Sequence, residues 1–203
     1  YDAVLANKDK LIVHAVLSGF GKSVLEPNVP SVYEEFNAIH ALIHAGFPQE
    51  KVVIRVDPII PTEKGLRSAL DVLEWCMDTG FRRFRIHVLT MQPEAIRRFL
   101  DAGLPLPYGS KRYADREQRQ MVDAMLEEAM AYWTNQGHRA SELRIESCAE
   151  PYLNVPIQCG CISEYDFDLL GLNKEFSDSA GSWKKSCKCY SERTELLPKC
   201  QRC

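Results

Sequence analysis

The residues of this sequence that could do chemistry fall into two groups. The first is thiol-based. Cys159-Gly-Cys161, Cys187-Lys-Cys189 and Cys200-Gln-Arg-Cys203 hold six of the eight cysteines as close pairs near the carboxyl end. Such pairs ligate zinc or an iron–sulfur cluster when they stay reduced, and disulfides are the competing use in an oxidising compartment. Four thiolates, from Cys159, Cys161, Cys187 and Cys189, suffice for either metal centre, and spacing does not choose between them. The second group is ionic. Arg55 and Asp57 stand two apart in Lys51-Val-Val-Ile-Arg-Val-Asp-Pro-Ile59, as do Arg83, Arg85 and His87, and Arg144, Glu146 and Cys148. Ion pairs, acid–base transfer and recognition of a charged ligand are open to such sets.

Elements with a period of two must carry the second group. Side chains alternate across a strand, so each set shares one face while Val52, Ile54 and Val56, for example, share the other. Leu11–Leu17, the organising stretch from Lys51 to Pro58, Phe84–Thr90 and Glu142–Cys148 read as four strands. Pro58 is expected to stop its ladder. Between them lie helices. Ser31 with Glu34 forms a capping box ahead of Phe36, Ile39, Leu42 and Ile43, and Leu66, Ala69, Leu70, Leu73 and Met77 mark the next amphipathic face. Pro93–Asp101 and Arg116–Asn135 follow, the latter with a stripe at Met121, Met125, Ala129 and Trp133.

Strand-then-helix units with short connections require a parallel sheet with right-handed crossovers. A doubly wound sheet is covered on both faces and has near-continuous apolar strands. These strands are polar on one side only, which favours an α/β fold built as a partial (βα) barrel around a polar hollow, over residues 1–156. Residues 157–203 read as a cysteine-rich irregular tail. Barrel sites lie at the carboxyl ends of the strands, here Ser18, Asp57, His87, Thr90, Glu146 and Cys148. The plain alternative is a buried ion-pair layer of Arg55, Arg85 and Arg144 against Asp57 and Glu146. His40 and His44, one helical turn apart, could form half a metal site, but no His-Glu-x-x-His pattern supports it.

Composition narrows the class. The chain has 203 residues, is 45% hydrophobic and carries a net charge of −3. No apolar run spans a bilayer and no signal-like segment opens the sequence, so a cytoplasmic protein without membrane contact is expected. Near-balanced charge gives no strong footprint for nucleic acid. One basic stretch, Lys111 to Arg116 with Arg119, includes Tyr113, which could stack on a base or simply form a solvated helix entry.

Leu25-Glu-Pro-Asn-Val-Pro-Ser31, Arg55-Val-Asp-Pro-Ile-Ile60, Cys159-Gly-Cys161 and the cysteine-dense end, in that order, carry a family resemblance. The chain resembles, from His14 to Cys203, poorly characterised bacterial and phage proteins similar to spore photoproduct lyase and to proteins labelled DNA repair photolyase. These belong to the radical S-adenosylmethionine (SAM) class. In those relatives a Cys-x3-Cys-x2-Cys triad follows the cysteine pairs. Here no complete triad occurs, and Cys203 matches its first cysteine. The other two are expected beyond the end, with a further strand and helix ahead of Tyr1, so the chain reads as a fragment.

The resemblance implies a [4Fe–4S] cluster whose open iron binds SAM and cleaves it reductively, an electron donor, and DNA or RNA as a candidate substrate. The metal set is then Cys159, Cys161, Cys187, Cys189, Cys200 and Cys203. Position at the barrel mouth, rather than the family, suggests the remaining roles. Asp57 and Glu146 would accept from a ribose or amino group, Arg55, Arg85 and Arg144 would pair with the methionine carboxylate, and Glu26 of the Glu-Pro-Asn-Val-Pro motif joins them. Cys148 is either a hydrogen-atom donor or a small buried thiol. A zinc-stabilised ligand-binding module without redox chemistry is the alternative function. A third is acid–base catalysis by His87, which needs Asp57 or Glu146 within reach.

Overall fold

The computed structural model describes residues 1–148, 150–160 and 162–172. Helix α1 (Asp2–Ala6) and a 3-10 turn lead into strand β1 (Val13–Val16). Next in the chain are α2 (Val32–His44), β2 (Val52–Ile59), α3 (Glu63–Asp78), β3 (Arg83–Val88), α4 (Pro93–Asp101), α5 (Arg116–Asn135), β4 (Arg144–Ser147), β5 (Ile157–Gln158) and α6 (Glu164–Leu170).

All five strands are parallel and lie in the order β1-β2-β3-β4-β5, without reversal. The architecture is therefore α/β on a five-stranded parallel sheet. Register decides which charges meet. Val16, Arg55, Arg85, Glu146 and Ile157 stand side by side across the five strands. Residues in one row of a parallel sheet share a face, so three charged side chains occupy the middle of that row.

The other face supplies the core. Ile54, Val56, Phe84, Ile86 and Ile145 are buried and cluster with Ala69, Leu70 and Leu73 of α3 and Val122, Leu126 and Ala129 of α5. Burying one such aliphatic side chain stabilises the fold by about 1.5–3 kcal/mol. The helices start where their caps stand. Ser31 and Glu34 form the expected reciprocal box on α2, Thr62 accepts from the Gly65 N–H on α3, and Asp115 pairs with Gln118 on α5. Each cap contributes about 1 kcal/mol.

Three expectations need correction. First, β2 passes through Pro58 to Ile59; the missing N–H is absorbed by a register shift between Val56 and Ile59. Second, Met121 is exposed and Val122 takes its place in the buried stripe of α5, because 3.6 residues per turn rotates a strict four-residue step off the core. Third, the segment expected to be irregular holds two regular elements, β5 and α6. β5 pairs with β4, and α6 starts at a reciprocal box between Ser163 and Asp166 and ends at Gly171 in the left-handed conformation. The expected boundary at residue 156 thus falls at the start of a sheet strand. Cys161, Cys187, Cys189, Cys200 and Cys203 lie outside the described residues.

Candidate functional site

Glu146 is the centre of the polar face. It is fully buried at 0% exposure, and Arg83, Arg85 and Arg144 all reach its carboxylate, Arg83 at 3.2 Å and Arg85 at 2.8 Å. Burial alone would raise its pKa; the guanidiniums of Arg83 and Arg85 outweigh burial and hold it below the usual carboxylate range. A second carboxylate enters from α6. Asp166 lies 2.7 Å from Arg83 and 3.9 Å from Arg85, and its other role is to accept from the Ser163 N–H at 2.6 Å. Its pKa is also lowered: burial opposes the charge, but the Ser163 N–H and Arg83 prevail. Tyr165 of the same helix lies beneath Arg83 and Arg144, 5.0 and 4.6 Å from its ring centre. Helix α6 is thereby tied across the polar face by one carboxylate and one ring.

This cluster realises the plain reading for half of the expected ligand-binding residues. Glu146, Arg85 and the Nε of Arg144 are committed to each other. The guanidinium contacts and complete burial leave Glu146 no surface for a ribose or an amino group.

At the carboxyl edge the charges are fewer and more open. Arg55 and Asp57 pair with each other at 2.7 Å, with 23% and 24% of their side chains exposed. Next to them His87 donates Nδ1–H to Glu150 at 2.8 Å. The same Glu150 oxygen accepts the Val88 N–H at 2.9 Å, and Gln158 donates to the Glu150 carbonyl at 2.7 Å, so the residue is anchored through both its side chain and its backbone. Burial would lower the His87 pKa, yet the hydrogen bond and charge of Glu150, with Asp57 adding to them, raise it above 6.5. The His87 partner is Glu150, not Asp57 or Glu146 as acid–base catalysis was expected to need. With Nδ1 engaged, Nε2 is the nitrogen available for proton exchange.

Two thiols belong to this face. Cys159 follows β5, is buried, and has a pKa pushed up to about 12, first by burial and, against the pull of Arg85, by Glu146, Cys148 and Asp166. Cys148 follows β4 and is half-buried. His14 of β1 looks onto the same cluster. Burial and the charge of Arg85 lower its pKa to about 4, so it is neutral at pH 7.

Other expected residues lie elsewhere. Glu26 accepts from the Ser18 hydroxyl in the loop after β1, where Gly21 packs so closely on the Pro30 carbonyl that any Cβ would collide with it. Glu26 raises the pKa of Glu35 to about 7, after burial, and has no contact with the arginine cluster among the described residues. His40 packs on Phe36 and Phe81, with the His44 ring 6.3 Å away. No group of three metal-ligating side chains occurs among the described residues. In the basic stretch, Lys111 is paired with Asp115, while Arg112 and Arg119 lie over Tyr113 and Tyr152, which are 61% and 70% exposed.

Sequence reasoning misses Asp166 and Glu150. Ser163-Glu-Tyr-Asp166 has capping-box spacing, which marks a helix start and could have revealed α6. Glu150 stands just past a strand's carboxyl end, where parallel α/β folds put their sites, but no spacing rule pairs it with His87. No helix among the described residues is long and apolar enough to cross a membrane. No protein-family model, curated protein or solved structure matches the chain.

Proposed function

We propose that the sheet is part of an incomplete (βα) barrel, and that the chain is a radical SAM enzyme whose SAM lies against the carboxyl edge. The unreversed strand order supports the barrel, since crossovers of one hand then put α2, α3 and α5 on one side of the sheet, while α6 covers the middle of the polar side and leaves its carboxyl edge as the open part. One observation carries the function: two half-open ion pairs, Arg55–Asp57 and His87–Glu150, occupy the same edge as Cys148 and Cys159. SAM carries a carboxylate, an ammonium and a sulfonium, so it needs both signs of charge side by side.

The residues fit that group. Arg55 would take the methionine carboxylate, Asp57 would accept from the ammonium or the ribose, and His87 with Glu150 would hold or move a proton at Nε2. Cys159 lies on this edge as a buried thiol with its pKa pushed up to about 12, and Arg85 offsets part of that burial; a metal there would have to displace the thiol proton. Cys159 would join the expected ligands Cys161, Cys187, Cys189, Cys200 and Cys203. A [4Fe–4S] cluster there would supply the electron for reductive cleavage of SAM, drawn from an external donor. Nucleic acid as the substrate is supported by the exposed Tyr113 and Tyr152, each under a guanidinium as base-stacking platforms are.

The test is anaerobic reconstitution with iron and sulfide of a polypeptide carrying the complete expected cysteine triad. Iron uptake, and 5′-deoxyadenosine formed from SAM under reduction and lost in Asp57→Ala, are the expected results. Absence of iron and of product overturns the reading. Zinc as the sole bound metal, with stability lost on chelation, would establish the metal-stapled binding module in its place.

A further inference from the structure

The amino edge of the sheet holds a second set of guanidiniums, at the opposite ends of the strands from the proposed SAM site. A cleft of about 810 Å3 opens there, lined by the first residues of four strands, Val52, Arg83, Arg144 and Ile157. That volume is within the roughly 300–1,000 Å3 of small-molecule sites.

Its arginines have donors to spare. Arg83 engages Glu146 through Nε and Nη2, and Ser163 and Asp166 through Nη2, but its buried Nη1 has no hydrogen-bond partner. A buried N–H without an acceptor is a standing desolvation cost that a ligand oxygen would remove. Arg144 gives Nε to Glu146 and keeps 30% of its side chain exposed. Arg82, 49% exposed, has one ion pair, with Glu142 at 3.9 Å, too long for a hydrogen bond. Glu142 is already bonded by Arg139 at 3.0 Å, and the other carboxylate in the lining, Glu50, is exposed to water. Tyr165 stacks on Arg83 and Arg144 and so holds both planes in place.

The geometry points to a binding site for a small organic anion, its phosphate or carboxylate head on Arg82, Arg83 and Arg144 and its apolar body against Val155, Ile157 and Tyr165. Planar guanidiniums recognise both heads in a bidentate manner, and the apolar residues favour an anion with a ring or chain over a bare one. The site is independent of SAM and of any cluster.

The test titrates the full chain, without iron or SAM, with phenyl phosphate, benzoate and inorganic phosphate, followed by calorimetry and by the melting temperature. Phenyl phosphate or benzoate should bind with a Kd below about 1 mM and raise the melting temperature. The tighter of the two identifies the head group, and inorganic phosphate should bind more weakly than phenyl phosphate. Ser141→Asp places a carboxylate at an exposed position of the lining, and Arg82→Gln removes an exposed cation, so neither threatens folding. Each should weaken binding about ten-fold, while Arg119→Gln, outside the cleft, should leave it unchanged. No binding of any probe at about 10 mM, or binding indifferent to both cleft variants, overturns the proposal.

Discussion

Two ionic regions share one face of this sheet, and they behave as different materials. The central cluster of Arg83, Arg85, Arg144, Glu146 and Asp166 is almost entirely dry, with side-chain exposures of 5% or less at every member except Arg144. The rim pairs Arg55–Asp57 and His87–Glu150 keep contact with solvent. Charges removed from water persist only where each is answered, and breaking one contact leaves its partners stranded. Charges at the rim can exchange partners for water or a ligand at little cost. Exposure, more than the number of charges, separates Arg85, Glu146 and Asp166, which hold the sheet, from the residues that keep a surface or a spare donor for a ligand.

The sharpest way to break this contrast is Glu146→Ala, which strands three guanidiniums. Loss of about 3–5 kcal/mol is expected from urea unfolding, and a change near zero would mean that the centre is as open as the rim. Asp166→Ala should come next, at about 2–4 kcal/mol, because a buried ion pair and the α6 capping box go together; selective proteolysis around α6 would report its release.

Acid should separate the regions by pH. Glu146 and Asp166 have folded pKa values below their unfolded 4.5 and 3.8, so their contribution is complete above those values and is lost as pH falls through the depressed ones. His87 runs the other way. Its pKa is raised above 6.5, so its contribution is complete below 6.5 and fades as pH rises through the folded value. Stability measured against pH should therefore decline on both sides, and Glu150→Gln should flatten only the alkaline limb. The smallest effect on folding is expected for Asp57→Asn, about 1 kcal/mol or less. On the proposed function the same variant should weaken SAM binding about ten-fold, a split between stability and binding that Glu146→Ala and Asp166→Ala should not show.

Much of this arrangement is legible in the residues. The alternation of Arg83, Arg85 and His87 against Phe84, Ile86 and Val88 places charge on one face of β3, and polarity confined to one face favours helices on the other. What alternation does not reveal is depth along the strands. Arg55 and Arg85 look alike in sequence, yet Arg55 has a bulged β2 ending beside it, whereas Arg85 faces a helix contributed from residue 164 onward. Burial by a distant segment leaves no local period, which is why Glu146 reads in sequence as a ligand-binding group. Glu150 escapes for a related reason: loop side chains obey turn geometry rather than a repeat.

The positions of the charges along the chain also impose a calendar on folding. Arg83 and Arg85 emerge with β3, but Glu146, which neutralises them, lies 63 and 61 residues later, and Ser163 of the α6 box lies 80 residues after Arg83. The first three strands can zip together in order, nearest neighbour to nearest neighbour, while those two guanidiniums must stay hydrated. During synthesis from the amino end, β3 therefore has one side wet until β4 and α6 emerge, and the ionic centre closes after the first three strands have met rather than serving as their seed.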